Sequence, residues 1–302
     1  MSKISSWINA ARPRTLALSL ACISMGGILA VINEAFDGLV FAMCVLTTIL
    51  LQVLSNFAND YGDFASGVDI SGRIGPQRAL QSGVITKSEM KVAISITAIL
   101  SLISGIVLLL ISSLGTVSFI ILLIIGLLAI WAAITYTIGN NPYGYRGLGD
   151  ISVLIFFGIV AVLGSNYIIQ GVFTWENVLP AISCGLLAVG VLNLNNMRDL
   201  EADKEHGKKT IPVKIGLSAA KTYHLCLIAS AWICIILYSI LHYVHILQFV
   251  FVVTLPLFFI HFKKVSPKGG KDLDPLLKQL SLSTLLFVVV FGISWILVMN
   301  IQ

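Results

Sequence analysis

Ser55-Asn56-Phe57-Ala58-Asn59-Asp60-Tyr61-Gly62-Asp63 closes one long apolar run. Gly67, Asp69, Arg73, Gly75-Pro76-Gln77-Arg78 and Gly83-Val84-Ile85 come next, before another run begins. Asn56, Asn59, Asp60 and Asp63 fall at i, i+3, i+4 and i+7, which places them on one stripe of a helix. Amides and carboxylates at the end of an apolar helix are costly at membrane depth and mark a functional site by default. The stretch therefore reads as the polar mouth of a membrane bundle.

Composition agrees. The chain has 302 residues, 57% hydrophobic and only 11% charged, where a soluble domain carries about 25% charged residues. A formal net charge of +5 could suit nucleic acid, but the distribution of the basic residues argues for membrane topology and against a nucleic-acid partner. The five cysteines, Cys22, Cys44, Cys184, Cys226 and Cys234, lie in apolar runs without metal-ligand spacing and read as packing residues. The polar N-terminus carries no removable signal peptide by this reading.

Apolar runs long enough to span lie near 16–32, 39–58, 92–112, 115–138, 149–170, 178–197, 220–241, 246–262 and 281–300. With the N-terminus in the cytoplasm, the inner pieces are 1–15, 59–91, 139–148, 198–221 and 263–280, and all 19 Lys and Arg residues fall in them. The opposite pieces hold only Glu34, Asp37 and Glu176. This is the positive-inside pattern. The expectation is an all-α polytopic membrane protein. Nine transmembrane helices form a single bundle, with the N-terminus cytoplasmic and the C-terminus outside. The 263–280 piece, with Pro267, Gly269, Gly270 and Pro275, reads as a solvated connector.

The chain also repeats itself, around 39–113 and 178–241, within one membrane domain spanning 1–302. The second helix ends in Asn56, Asn59, Asp60 and Asp63. The sixth ends in Asn193, Asn196, Asp199 and Asp203, where Asn196, Asp199 and Asp203 again share a face. Matched polar ends on one side of a bundle suggest one pocket built from two halves. Both stripes lie at helix C-termini, where the dipole disfavours negative charge, and clustered carboxylates repel one another. Cations must compensate. Hard oxygen ligands without His or Cys favour magnesium, which takes one or two carboxylates and bridges to phosphate. The competing reading is a pair of solvated helix ends paired to nearby Lys and Arg.

Arg78, in a Gly-Pro-Gln-Arg turn, and Arg12, in Arg12-Pro13-Arg14-Thr15, stand where a phosphate could be clamped. Lys208, Lys209 and Lys214 come after the second stripe and serve topology as well as charge. Arg14 reads as an interface anchor. Tyr136, Tyr143, Tyr145 and Arg146 flank the same mouth, and Asp150 reads as a helix N-cap.

These motifs resemble the UbiA-type intramembrane prenyltransferases. The likeness is strongest to the branch acting on 1,4-dihydroxy-2-naphthoate in menaquinone synthesis. It rests on Asn59-Asp60-Tyr61-Gly62-Asp63 with Gly67 and Asp69, and on Arg73-Ile74-Gly75-Pro76 with Arg78 and Gly83-Val84-Ile85-Thr86. It rests also on Pro142-Tyr143-Gly144-Tyr145, on Gly147-Leu148-Gly149-Asp150, and on Asn195-Asn196-Met197-Arg198-Asp199 with Asp203. It covers about residues 7–230. The wider family places a third Asp four residues after the second; here that position is Gly67, with Asp69 two further on.

The resemblance implies a polyprenyl diphosphate and 1,4-dihydroxy-2-naphthoate as substrates. It implies two magnesium ions on Asp60, Asp63, Asp69, Asp199 and Asp203. Asn56, Asn59, Asn193 and Asn196 would support the diphosphate or metal-bound water, with Arg12, Arg78 and Lys214 toward the diphosphate. The setting it implies is the cytoplasmic membrane of a bacterium, with the site facing the cytoplasm and the tail against lipid. Another aromatic acceptor, such as 4-hydroxybenzoate, and a cation transporter are the alternatives.

Overall fold

The computed structural model describes residues 2–67 and 78–301, apart from the side chain of Arg14. Asp69 and Arg73 therefore lie outside the described residues. Among those described there are only helices and the loops joining them, and nine helices are long and apolar enough to cross a membrane.

A short amphipathic helix, α1 (Lys3–Ala11), starts at Ser2, whose hydroxyl accepts from Ser5 N–H at 3.2 Å. The chain then turns sharply. Arg12 takes φ +50°, a left-handed conformation that non-glycine residues adopt rarely, and Pro13 opens α2 (Pro13–Ile32), where its missing N–H costs nothing. α3 (Gly38–Ala65) is capped by Asp37, and α4 (Lys87–Ile111) by a Thr86–Glu89 capping box. α5 (Thr116–Thr135), α6 (Gly149–Gln170) and α7 (Trp175–Arg198) complete the first six spans. After the one-and-a-half-turn α8 (Leu200–Glu205) come α9 (Ile211–Leu241), α10 (Ile246–Val265) and α11 (Gly270–Met299).

The order and number of spans match the sequence reading; several ends do not. α4 begins at Lys87 and α11 at Gly270, because polar first turns continue each helix beyond its apolar part, whereas the stretch from Ile211 joins the rest of α9 across a kink at Gly216, where φ is +79°. The 263–280 piece is consequently mostly helical, which corrects the solvated-connector reading. α11 opens with a 3-10 turn over Gly270–Leu273, and Pro275 stands in the first turn of its α-helical part, Asp274–Met299, where proline is favoured rather than disruptive.

α7 is the central element and α5 the most peripheral: 67% of the most apolar window of α7 is buried against 6% for α5. The larger core joins α2, α7, α9, α10 and α11, with Trp232, Phe251, Phe258, Phe287 and Phe291 packed between them, largely edge to face. A second core joins α1, α3 and α4 through Leu54, Phe57, Ile85 and Met90. α6 widens to π-helical hydrogen bonding over Leu154–Gly164. There Gly158 and Gly185 bring α6 and α7 into backbone contact; a Cβ on Gly158 would stand 2.7 Å from the Ala181 carbonyl oxygen.

Candidate active site

One cavity of about 1030 Å³ runs through the bundle. Its polar end is lined by Arg12, Asn59, Asp63, Arg78, Asp199, Asp203 and Lys208, so the two acidic helix ends open onto the same space. Its apolar length passes between α3, α4, α5 and α6 and reaches Phe173 and Trp175 beyond the far end of α6.

The first acidic end is built by α3. Asp60 and Asp63 are buried, at 2% and 5% exposure. Arg12 pairs with Asp60 from the α1–α2 turn. Arg78 reaches both carboxylates, with Nε 3.4 Å from Asp60 Oδ1 and Nη1 2.6 Å from Asp63 Oδ2. Arg78 also donates to the Asn59 carbonyl oxygen at 2.8 Å. Tyr145, from the loop before α6, donates to Asp63 Oδ1 at 2.5 Å. Burial, and then the neighbouring Asp63 charge, push the Tyr145 hydroxyl pKa up. Gly62 lets this loop approach: a Cβ there would stand 2.5 Å from the Thr137 carbonyl oxygen.

The second end is built by α7 and α8. Asp199 is held from behind by Arg198, whose Nε and Nη2 donate to its two oxygens at 2.8 and 2.6 Å. Arg198 is fully buried and also donates to Asp274 at the start of α11 at 2.5 Å. Asp203 faces Lys208. Burial foremost pushes the Asp203 carboxyl up to about 6; Lys208 opposes this, while Asp199 and Asp63 add to it. Lys208 joins the two ends, with Nζ 3.2 Å from Asp63 Oδ1 and 3.4 Å from Asp203 Oδ1.

The remaining expected residues divide. Asn56, Asn59, Asn196, Tyr136 and Tyr143 line the cavity. Asn56 also ties α3 to the α1–α2 turn, donating to the Ala11 carbonyl at 2.8 Å and the Thr15 hydroxyl at 3.1 Å. Tyr143 and Tyr136 meet edge to face at 5.3 Å. Asn193, Lys214, Arg146 and Asp60 are not among the lining residues. Asn193 is buried between α7 and α9, donating to the Ala220 carbonyl at 3.0 Å. Lys214 lies behind Gly147, and Arg146 is exposed. Asp150 is not the N-cap, a place taken by Leu148; it sits in the first turn of α6 and accepts from Tyr223 at 2.9 Å.

Arg198 is a site residue that the sequence reading passes over. Its signal is present: it is the one basic residue inside the second acidic motif, and it adjoins Asp199.

The donor set fits a hard dication. Asp63 and Asp203 present oxygens to one point, now held by an ammonium, with Asn196 and Asp199 on the same wall. Among the described residues no three Asp, Glu, His or Cys side chains converge into a metal cage. Magnesium does not need one, since it keeps waters and phosphate oxygens in its shell.

Comparison with known proteins agrees with this geometry. Residues 19–276 match the UbiA prenyltransferase family. The chain is 42% identical to the 1,4-dihydroxy-2-naphthoate octaprenyltransferase of Escherichia coli (strain K12), over 98% of both chains. It is also 42% identical to the enzyme of that name from Haemophilus influenzae, over 97% of this chain and 96% of the other. A solved UbiA homolog from Archaeoglobus fulgidus, bound to DMAPP and Mg2+, superposes with a TM-score of 0.66 at 19% identity, covering 97% of this chain and 99% of that one. This chain belongs to the UbiA prenyltransferase family.

Proposed function

We propose that this protein transfers a polyprenyl group from a polyprenyl diphosphate to 1,4-dihydroxy-2-naphthoate, with loss of carbon dioxide, on the path to menaquinone. The observation that carries this reading is the single cavity. Its charged end suits a diphosphate, and its long apolar arm suits an isoprenoid tail. The named activity of the relatives gives the acceptor.

Arg78, Arg12 and Lys208 bind the diphosphate and stabilise the negative charge that grows on it as the allylic C–O bond breaks. Asp63 and Asp203 would hold magnesium, with Asn196 and Asp199 beside them; two ions suit two acidic ends. Magnesium, when bound, supplies Lewis-acid neutralisation of the leaving group. Tyr136 and Tyr143 present ring faces and edges to the reacting region, and ring faces favour an adjacent cation. The dihydroxynaphthoate ring attacks at the carbon bearing the carboxylate. The new C–C bond forms, carbon dioxide leaves, and its bonding pair restores the ring. The apolar wall excludes water that would capture the cation. The basic inner loops support a mouth that faces the cytoplasm from a bacterial cytoplasmic membrane.

The test is a product assay. Membranes containing the protein, given dihydroxynaphthoate and a polyprenyl diphosphate, release carbon dioxide and form demethylmenaquinone, and a chelator stops both. Turnover with 4-hydroxybenzoate but not dihydroxynaphthoate overturns the acceptor. Cation flux in proteoliposomes without prenyl transfer overturns the enzyme reading.

A further inference from the structure

Lys208 is the one described side chain that touches carboxylates of both acidic ends. Its backbone is fixed, while its tip is held only through the ammonium. The preceding Gly207 turns the chain with φ +70°. The Lys208 backbone N–H then donates to the Asp203 carbonyl at 2.9 Å, and the next N–H, of Lys209, to the Tyr145 carbonyl at 2.7 Å. Beyond this anchored backbone runs a four-carbon stem ending in three rotatable donors. The ammonium lies 4.4 Å from the centre of the Tyr145 ring, which can keep it company over a range of positions.

The other cations at the mouth are differently held. Arg78 is planar and divided between Asp60, Asp63 and the Asn59 carbonyl. Arg12 pairs with Asp60 from a strained turn. Arg198 lies behind Asp199, away from solvent. Among the described residues, Lys208 is the only partner of the Asp203 carboxylate. A divalent cation bridging Asp63 and Asp203 needs the lone pairs that this ammonium now occupies, and the two like charges cannot share the gap.

We infer that Lys208 is a resident counter-ion: its ammonium fills the gap between Asp63 and Asp203 in the cation-free protein and surrenders it to a divalent cation. The displaced ammonium becomes a phosphate donor. Lys208 thus opposes metal binding before the diphosphate arrives and favours the metal–diphosphate pair afterwards. This rests on the prenyl-diphosphate reading for its second half only.

The test uses the full chain in lipid nanodiscs and manganese as the probe, read by electron paramagnetic resonance. Without diphosphate, Lys208→Met binds manganese about tenfold more tightly than the parent. Lys208→Arg, which keeps a cation in the gap, binds it no more tightly than the parent. With manganese saturating, inorganic pyrophosphate binds Lys208→Met about tenfold more weakly. Thermal melts of the same samples establish that each variant is folded. Unchanged or weaker manganese binding by Lys208→Met overturns the inference, as does equal tightening by both variants. If pyrophosphate binding does not weaken, the phosphate-donor half is overturned. Absence of prenyl transfer by the parent chain, with the manganese shift intact, overturns the enzyme reading and leaves the counter-ion standing.

Discussion

Asp63 and Asp203 occupy matching places in their motifs and do different work. Asp63 is surrounded by Arg78, Tyr145 and Lys208, so its charge is compensated three times over. Asp63→Asn removes the negative charge and one of the two acceptor oxygens that organise all three, and prenyl transfer falls by about 100-fold or more in the product assay, with the protein still inserted. Asp203 is a buried carboxyl raised to about 6. Its contribution to stability is full below the ordinary carboxylate pKa and is lost as pH rises through about 6. Asp203→Asn therefore raises the melting temperature at pH 8, and the gain disappears by pH 4. The free-energy gain is at most about 3 kcal/mol. A melt series showing the gain at pH 4 instead contradicts the burial argument. Arg198→Lys replaces two parallel donors on Asp199 with one point charge. Turnover falls about tenfold, whereas a charge-only role leaves it unchanged. Asp60 and Asp63 were legible because helical spacing puts them on one stripe of α3; Asp199 and Asp203 do not share the one helix face expected of them, since α7 ends at Arg198 and Asp203 stands on α8 beyond the break at Asp199. Lys208's reach was not legible, because it joins Asp63 to Asp203 across 145 positions of chain for one carboxylate and five for the other.

Elements meet where side chains are missing. Gly62 admits the Thr137 backbone against α3, and Thr137 donates to the Ala58 carbonyl at 3.0 Å and the Asn59 side chain at 3.2 Å. Gly62→Ala pushes this segment away and unseats Tyr145 from Asp63 without altering any charge. Turnover drops while the positive charge at the mouth is intact, and Tyr145→Phe reproduces part of the loss. Normal turnover in Gly62→Ala shows that the loop can shift freely. The π-helical stretch of α6 lies along the same cavity and contains the backbone contact between Gly158 and Gly185. Apolar runs disclosed all nine spans. The helical character of 263–280 stayed hidden, because Pro267, Gly269, Gly270 and Pro275 signal a loop when read locally. Pro275 in fact opens a helix whose length is settled by packing against α2, α7 and α10.

At the scale of the whole molecule, charge sets orientation and the cavity sets reach. A cysteine replacing Lys268 is labelled by an impermeant maleimide from the cytoplasmic side, and one replacing Glu176 from the opposite side. The reverse pattern inverts the bundle and moves the mouth outside. This orientation is the proposal that the basic residues support. The arm of the cavity was not legible, since the hydrophobic residues that line it look the same in sequence as those that face lipid. α5 does both jobs at once. Almost bare on its outer circumference, it is a wall one helix thick between the prenyl chamber and the hydrocarbon beyond. In a bilayer, acyl chains would pack against that wall and support the chamber from outside. Stripping that lipid with detergent slackens the chamber and slows turnover well before the tightly packed half around Trp232 melts.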